Sequence, residues 1–121
     1  MPIVDIEIML RADESVDKEM VSDLAEELGD IFHTPQGETW IKVHPLSADQ
    51  YAENGGTPAG VYPVFVAVIK SILPSLEETQ NEAAKITGAV AQICGRPSEN
   101  VHVIYQPEGR GRVAFGGKIV I

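Results

Sequence analysis

The residue in this chain best suited to chemistry is a proline placed to become a terminal amine. Pro2 directly follows Met1 and opens the run Pro2-Ile3-Val4-Asp5-Ile6-Glu7-Ile8. Inside a chain a proline has no N–H to offer, so it is tolerated at the first residue of a strand. Once Met1 is removed, a step that the small proline side chain favours, Pro2 carries a free secondary amine. A free α-amino group titrates at about 7.7–8.0. An apolar pocket or a nearby cation lowers that value. An amine poised near neutrality is a competent general base or imine-forming nucleophile. The alternative is a small residue near a terminus with no role, and the fragment alone does not separate the two.

The elements that must position this amine follow from periodicity. Residues 2–10 alternate, with Val4, Ile6, Ile8 and Leu10 on one face, which predicts a half-buried strand. Met20, Val21, Leu24, Leu28, Ile31 and Phe32 recur at helical spacing, predicting an amphipathic helix over about 14–32 with N-cap candidates at Asp13 and Ser15. Pro35 and Gly37 end it. A second alternation over 39–44 predicts a strand stopped by Pro45. Residues 46–60 are rich in turn formers and long enough to suggest a site or a contact, with Tyr51 a candidate to cover a pocket. The β-branched run 61–69 reads as a strand buried on both faces. Ser75 and Glu78 have capping-box spacing ahead of a helix over about 75–94, which Gly95 and Pro97 stop. Val101, Val103 and Tyr105 alternate with His102 and Ile104 in a fourth strand. Beyond the loop after Pro107, the apolar tail broken by Gly116-Gly117 predicts a hairpin.

The chain repeats itself. Pro35 and Pro97 stand 62 residues apart, as do Pro45 and Pro107, and at the same offset Leu24 meets Ile86, Leu28 meets Val90 and Ile31 meets Ile93. Each half reads strand–helix–strand, and a helical crossover implies two parallel strands per half. The expected fold is α+β: two tandem βαβ repeats forming a four-stranded sheet with both helices on one face. The single domain divides into repeat one at 2–45, a connecting loop at 46–60, repeat two at 61–107 and a C-terminal hairpin at 108–121. Strand parity puts Ile3, Met9, Trp40, Phe65, Ile69 and Ile104 on the face away from the helices. Such a face asks for a partner, so a closed cyclic homo-oligomer is expected.

Composition narrows the function. With 121 residues the chain is one domain by length. A formal net charge of −9 argues against nucleic acid and anionic membrane surfaces as partners. Cys94 is the only cysteine, so no internal disulfide forms and a reducing, cytoplasmic setting is expected. No signal-peptide pattern opens the chain and no apolar run reaches the ~20 residues of a membrane span. His33, His44 and His102 are too scattered for a metal site. The Gly109–Lys118 segment lacks the glycine and the Ser or Thr of a phosphate loop. Neither a metal nor a cofactor is called for.

Three features together resemble the tautomerase superfamily: the Met1-Pro2-Ile3-Val4-Asp5-Ile6 opening, a repeat the size of a small 4-oxalocrotonate tautomerase subunit, and the glycine-rich closing run Gly111-Arg-Val-Ala-Phe-Gly-Gly117. The stretch from Trp40-Ile-Lys-Val-His-Pro to Asn54-Gly-Gly56 is similar to the macrophage migration inhibitory factor (MIF) group, which also fuses two halves. The resemblance covers nearly the whole chain. It implies a homotrimer in which processed Pro2 is the general base of keto–enol tautomerisation on a small carboxylate or enol substrate. It also leaves open a MIF-like binding or signalling module, or a proline-dependent hydratase or decarboxylase. Such an enolisation develops charge on oxygen, which a donor or cation must stabilise. A substrate carboxylate wants an arginine clamp.

Residue by residue, the resemblance implies substrate-binding roles for five positions. Arg11 matches an arginine at the end of the first strand. His102 stands where the hexameric enzymes place an arginine and the MIF group a tyrosine. Val113 replaces a phenylalanine, with Arg110 and Arg112 flanking it and Arg112 the better candidate. Lys70 is the one cation after the third strand, where dehalogenase-like members carry two arginines, and this argues against dehalogenation. Arg11 and Lys70 read equally well as ordinary strand-end cations, His102 as a structural histidine, and Trp40, its repeat mate, as core filler.

Overall fold

Two strand–helix–strand units fill most of the chain because each carries a period-2 apolar stripe, a period-3.6 stripe and a second period-2 stripe in sequence. The computed structural model describes all residues, 1–121, as β1 (Ile3–Leu10), α1 (Lys18–Phe32), β2 (Trp40–Ser47), β3 (Val64–Ile69), α2 (Leu76–Cys94), β4 (Val101–Tyr105), β5 (Ala114–Phe115) and β6 (Lys118–Ile119). The main sheet has the order β2-β1-β3-β4, and β5 and β6 form a separate small hairpin. β1 pairs parallel with β2, β3 pairs parallel with β4, and the central β1–β3 pair is antiparallel. Both parallel pairs share one register: Ile3 faces Trp40 and Val64 faces Val101, each 37 residues on. At the centre Asp5 faces Ala67, its own mate at the repeat offset of 62, so a pseudo-two-fold axis passes between them. The expected repeat and fold class are those of the structure.

Both helices lie side by side on one face. Val4, Ile6 and Ile8 of β1 and Val64, Val66 and Val68 of β3 are fully buried against Leu24 and Leu28 of α1 and Ile86 and Val90 of α2. Each such side chain contributes about 1.5–3 kcal/mol of burial. No helix is long and apolar enough to cross a membrane.

Several expected boundaries move, each for a local reason. Helix α1 starts at Lys18 rather than near residue 14, because Asp17 caps it by accepting from Met20 N at 2.8 Å, while Asp13 takes a left-handed turn with φ of 63°. Strand β2 runs through Pro45 to Ser47 instead of stopping there; it is an edge strand, where a missing N–H costs no ladder bond on the open side. Strand β3 is shorter than the β-branched run and buried on one face only, since Phe65, Ala67 and Ile69 look away from the helices.

That second face is less uniformly apolar than strand parity suggests. Ile3, Trp40 and Ile69 make one end of it. A polar belt crosses its middle, where Lys42 Nζ and His44 Nε2 lie 3.2 and 3.0 Å from Asp5 Oδ1. Burial alone raises the Asp5 carboxyl, and hydrogen bonds from His44 and Lys42 outweigh it and hold the group below its ordinary value. The connection after β2 folds over the far end of the face, setting Tyr51 6.1 Å from Phe65 and burying Met9.

Candidate active site

Pro2 lies at the foot of β1, buried, with its carbonyl accepting from Trp40 N at 3.1 Å. Its position is fixed by the pairing of Ile3 with both Trp40 and Ile69. The walls around the Met1–Pro2 segment come from four places: Ile3 on β1, Ile69 and Ser71 at the end of β3, Gly109 and Val113 on the loop after β4, and Phe115 and Val120 on the hairpin. Met1 is bonded to Pro2 N and is itself one wall of this pocket, packed so closely against the others that no water-sized space is left between them. Its amine donates to Ser71 Oγ at 3.4 Å. Trp40 stands edge-on to Phe115, ring centres 5.3 Å apart, and its indole N–H donates to Gly37 O at 3.0 Å. Trp40 therefore braces the hairpin wall at the Pro2 end.

The loop over the pocket is tightly tied. Gly109 N donates to Lys70 O at 2.7 Å and Arg110 N to Ser71 O at 3.2 Å, while Arg112 N and Val113 N both donate to Gly109 O at 2.8 Å. A Cβ on Gly109 would meet Val113 Cγ2 at 3.1 Å and Ile69 Cγ2 at 3.3 Å, so glycine is what lets these walls close. Glu108 fastens the facing turn by accepting from Leu73 N at 2.7 Å. Arg112 lines an adjoining cleft with Ile69, Gln106, Pro107, Gly109 and Val113. Three of those residues also line the Pro2 pocket, so the two spaces adjoin.

Of the residues singled out in the sequence, the structure brings Pro2, Val113 and Arg112 together. It does not bring Lys70 to them. Lys70 shares the parity of Val68, points to the helix side, pairs with Glu82 at 2.9 Å and lies over the Phe32 ring at 5.5 Å. Tyr105 donates to the other Glu82 oxygen at 2.8 Å, and burial together with that carboxylate raises its phenol well above the ordinary range. Arg11 lies at the opposite end of β1, nine residues and about 30 Å from Pro2. There its side chain meets Glu14 and the carbonyl of Gly95. His102 is exposed on the open face, packed on Phe65 at 5.4 Å, and its β3 partner is four residues, about 13 Å, from Ile69. Tyr51 covers the far end of the sheet, not the Pro2 pocket.

Ser71 was not singled out in the sequence as a site residue, although parity carries the signal: Ile69 and Ser71 share a side and Lys70 takes the other. The walls Phe115 and Val120 have no such signal, because only the hairpin's docking places them. A wider cleft of about 450 Å³ lies at the end of α1, but Glu26 and Asp30 line it and would repel a carboxylate. No cluster of three His, Cys, Asp or Glu side chains stands close enough to hold a metal ion.

No protein-family model and no curated protein matches the sequence. Solved structures do match. A fused 4-OT solved as a symmetric trimer superposes with a TM-score of 0.77 at 14% identity, over 98% of this chain and 94% of that one. The MIF of Trichinella spiralis gives 0.72 at 17% identity, over 97% and 98%. A malonate semialdehyde decarboxylase inhibited by 3-bromopropiolate gives 0.68 at 17%, over 94% and 90%. At these identities the likeness is one of fold: this chain shares the fold of the fused 4-OT, MIF and malonate semialdehyde decarboxylase structures.

Proposed function

We propose that this protein is a cytoplasmic keto–enol tautomerase of 2-oxo acids, or related enols, whose general base is the amine of Pro2 after loss of Met1. The observation that supports the reading is the pocket itself. Pro2 is buried at the start of β1, and the space Met1 occupies has apolar walls. Removal of Met1 leaves a secondary amine facing the space that the methionine vacates. Apolar walls disfavour the ammonium form and push its pKa below that of a free α-amine. That yields an uncharged base at neutral pH, as proton abstraction next to a carbonyl requires.

Arg112 is the cation that lines the adjoining cleft, and it is assigned the substrate carboxylate. Arg11 and His102 reach a Pro2 pocket only from a neighbouring copy. A homotrimer is the assembly proposed, in keeping with the trimeric fused 4-OT structures of the same fold. The likeness to a malonate semialdehyde decarboxylase keeps proline-dependent decarboxylation or hydration as the nearest variants of this chemistry.

The test is an intact mass followed by turnover of the enol of phenylpyruvate by wild type, Pro2→Ala and Arg112→Ala. Expected are loss of the methionine mass, a fall of about 10²–10⁴ in kcat for Pro2→Ala, and a rise in KM for Arg112→Ala. Turnover that survives Pro2→Ala removes Pro2 from the mechanism. Processed wild type without turnover on this enol or on 2-hydroxymuconate favours the second reading, a trimeric MIF-like binding or signalling module.

A further inference from the structure

We propose that Ser71 is the oxyanion donor of the Pro2 pocket, its hydroxyl hydrogen-bonding the substrate oxygen that gains charge as a proton leaves the neighbouring carbon for Pro2 N. The proposal rests on the proline-base reading above. Ser71 supplies the only polar side chain among the residues walling the Met1–Pro2 segment: Ile3, Ile69, Val113, Phe115 and Val120 are apolar and Gly109 has none. A single hydroxyl in an apolar wall acts in a low-dielectric space, where a hydrogen bond to developing charge is strongest.

Met1 marks where the substrate atoms fall. Its carbonyl carbon is the atom held against Pro2 N, its Cα comes next, and its amine is two bonds beyond the first. That amine is 3.4 Å from Ser71 Oγ. A 2-oxo acid that presents C3 to Pro2 N carries its C2 oxygen at the same two-bond remove. A substrate carbon in contact with Pro2 N lies farther out than the bonded Met1 carbonyl carbon but in the same direction, which puts the C2 oxygen on the Ser71 side of the pocket and leaves the carboxylate on C2 to the adjoining Arg112 cleft. The backbone that carries Ser71 is also held still. The Ser71 carbonyl accepts from Arg110 N at 3.2 Å, the preceding carbonyl accepts from Gly109 N at 2.7 Å, and the Lys70 ammonium is pinned by Glu82 at 2.9 Å. A donor fixed before the reaction costs no reorganisation during it.

In the enolising direction the Pro2 lone pair takes the C3 proton. The C3–H electron pair becomes the C2=C3 bond, and the C2=O π pair moves onto oxygen, where Ser71 donates its hydrogen bond. The enolate oxygen then takes a proton from water, and the Pro2 ammonium returns its proton to water. Ketonisation is the reverse. Ser71 transfers no proton in either direction.

The experiment compares wild type, Ser71→Ala, Ser71→Thr and Pro2→Ala with the enol of phenylpyruvate, each checked by mass for Met1 removal. For Ser71→Ala the expected result is a fall in kcat of about 10²–10³-fold, with KM little changed and the acid limb of the pH–rate profile unmoved. Ser71→Thr, which keeps the hydroxyl, restores most of kcat. Ser71→Ala at the wild-type rate, beside an inactive Pro2→Ala, overturns the Ser71 role and leaves the proline base standing. A Ser71→Ala profile whose acid limb shifts while the limiting kcat holds also overturns it, because the hydroxyl then acts on the amine. A loss that Ser71→Thr does not rescue overturns it as a packing effect. Processed wild type without turnover overturns both readings together.

Discussion

Arg96 offers the sharpest energetic test of how the chain is held around its strand ends. Its side chain is 1% exposed, and every donor direction is used. Nη1 and Nη2 reach the two oxygens of Glu14 at 2.6 and 2.7 Å; Nη2 also reaches Met9 O at 2.7 Å, Nη1 reaches Cys94 O at 2.7 Å, and Nε reaches Tyr62 O at 3.0 Å. One guanidinium thus ties the end of β1, the end of α2, the long connection and the turn that carries Arg11. The same Glu14 carboxylate accepts from Arg11 N at 3.0 Å. Breaking a buried pair by removing one partner costs about 3–5 kcal/mol, since the other charge stays behind unpaired. Glu14 is 17% exposed, so water tempers its side of the loss and about 3 kcal/mol is expected for Glu14→Gln. Arg96→Met also strands three carbonyls and belongs at the upper end, about 5 kcal/mol. At about 4 °C per kcal/mol for a domain of this size, these are falls of about 12 and 20 °C in Tm.

The pH dependence has a fixed sign. Hydrogen bonds from Arg96 are the largest influence on Glu14 and hold its carboxyl below the ordinary 4.5, against the opposing effect of burial. A lowered carboxyl stabilises the fold above its unfolded value and loses that contribution as pH falls through the folded value. The gap between wild type and Glu14→Gln is therefore full at pH 7 and closes below pH 4.5. Thermal melts at one fixed protein concentration, at pH 7 and at steps down to pH 3, measure it, and using the difference removes the titration of the other acids. A Glu14→Gln melt within about 0.5 kcal/mol of wild type at pH 7, or a gap that widens in acid, refutes the clasp.

Two further outcomes test the site and the core. Gly109→Ala places a methyl 3.1 Å from Val113 and 3.3 Å from Ile69, so it should cost about 1–3 kcal/mol of stability and lower kcat more than a surface glycine change such as Gly88→Ser; equal activity with Gly109→Ala would show that the walls yield freely. Burial pushes the Cys94 thiol up, despite the nearby Arg96 charge, so the native protein should resist an aromatic disulfide reagent at pH 8 and react within minutes in denaturant; rapid native labelling would mean that the end of α2 opens readily.

Fold and site differ in how far they could be read from the chain. The repeat was legible because both halves bury the same kind of stripe at the same spacing, and the identical 37-residue register of the two parallel pairs is its structural form. The start of α1 was not, because Asp13, Ser15 and Asp17 all suit an N-cap and only the backbone path, with Asp13 in a left-handed turn, settles that Asp17 takes the role. Glu14, which looked like part of the helix, is committed to Arg96 and Arg11. Nothing in the spacing of Arg96 revealed its burial, since its partners come from four separate stretches. Lys70 and Ser71 were decidable by counting along β3, because one step along a strand exchanges faces.

The same counting governs what the catalytic reading needs beyond one chain. A strand of eight residues has two ends, and in this fold Pro2 stands at one and Arg11 at the other. The Arg96–Glu14 clasp fixes Arg11 there, so no rearrangement of a loop can deliver it to its own Pro2. His102 is likewise fixed by its pairing with Phe65. The cation that lines the adjoining cleft from within the chain is Arg112, on a tightly hydrogen-bonded turn. A single arginine suits a single carboxylate, with the apolar walls of Ile3, Ile69, Val113 and Phe115 left to receive an uncharged remainder. A substrate with two carboxylates requires a second copy to bring Arg11 or His102 across. Selectivity between a mono- and a dicarboxylate enol thus reports on the assembly as much as on the pocket: Arg11→Ala leaves turnover of the first unchanged and weakens the second only if the copies meet that way.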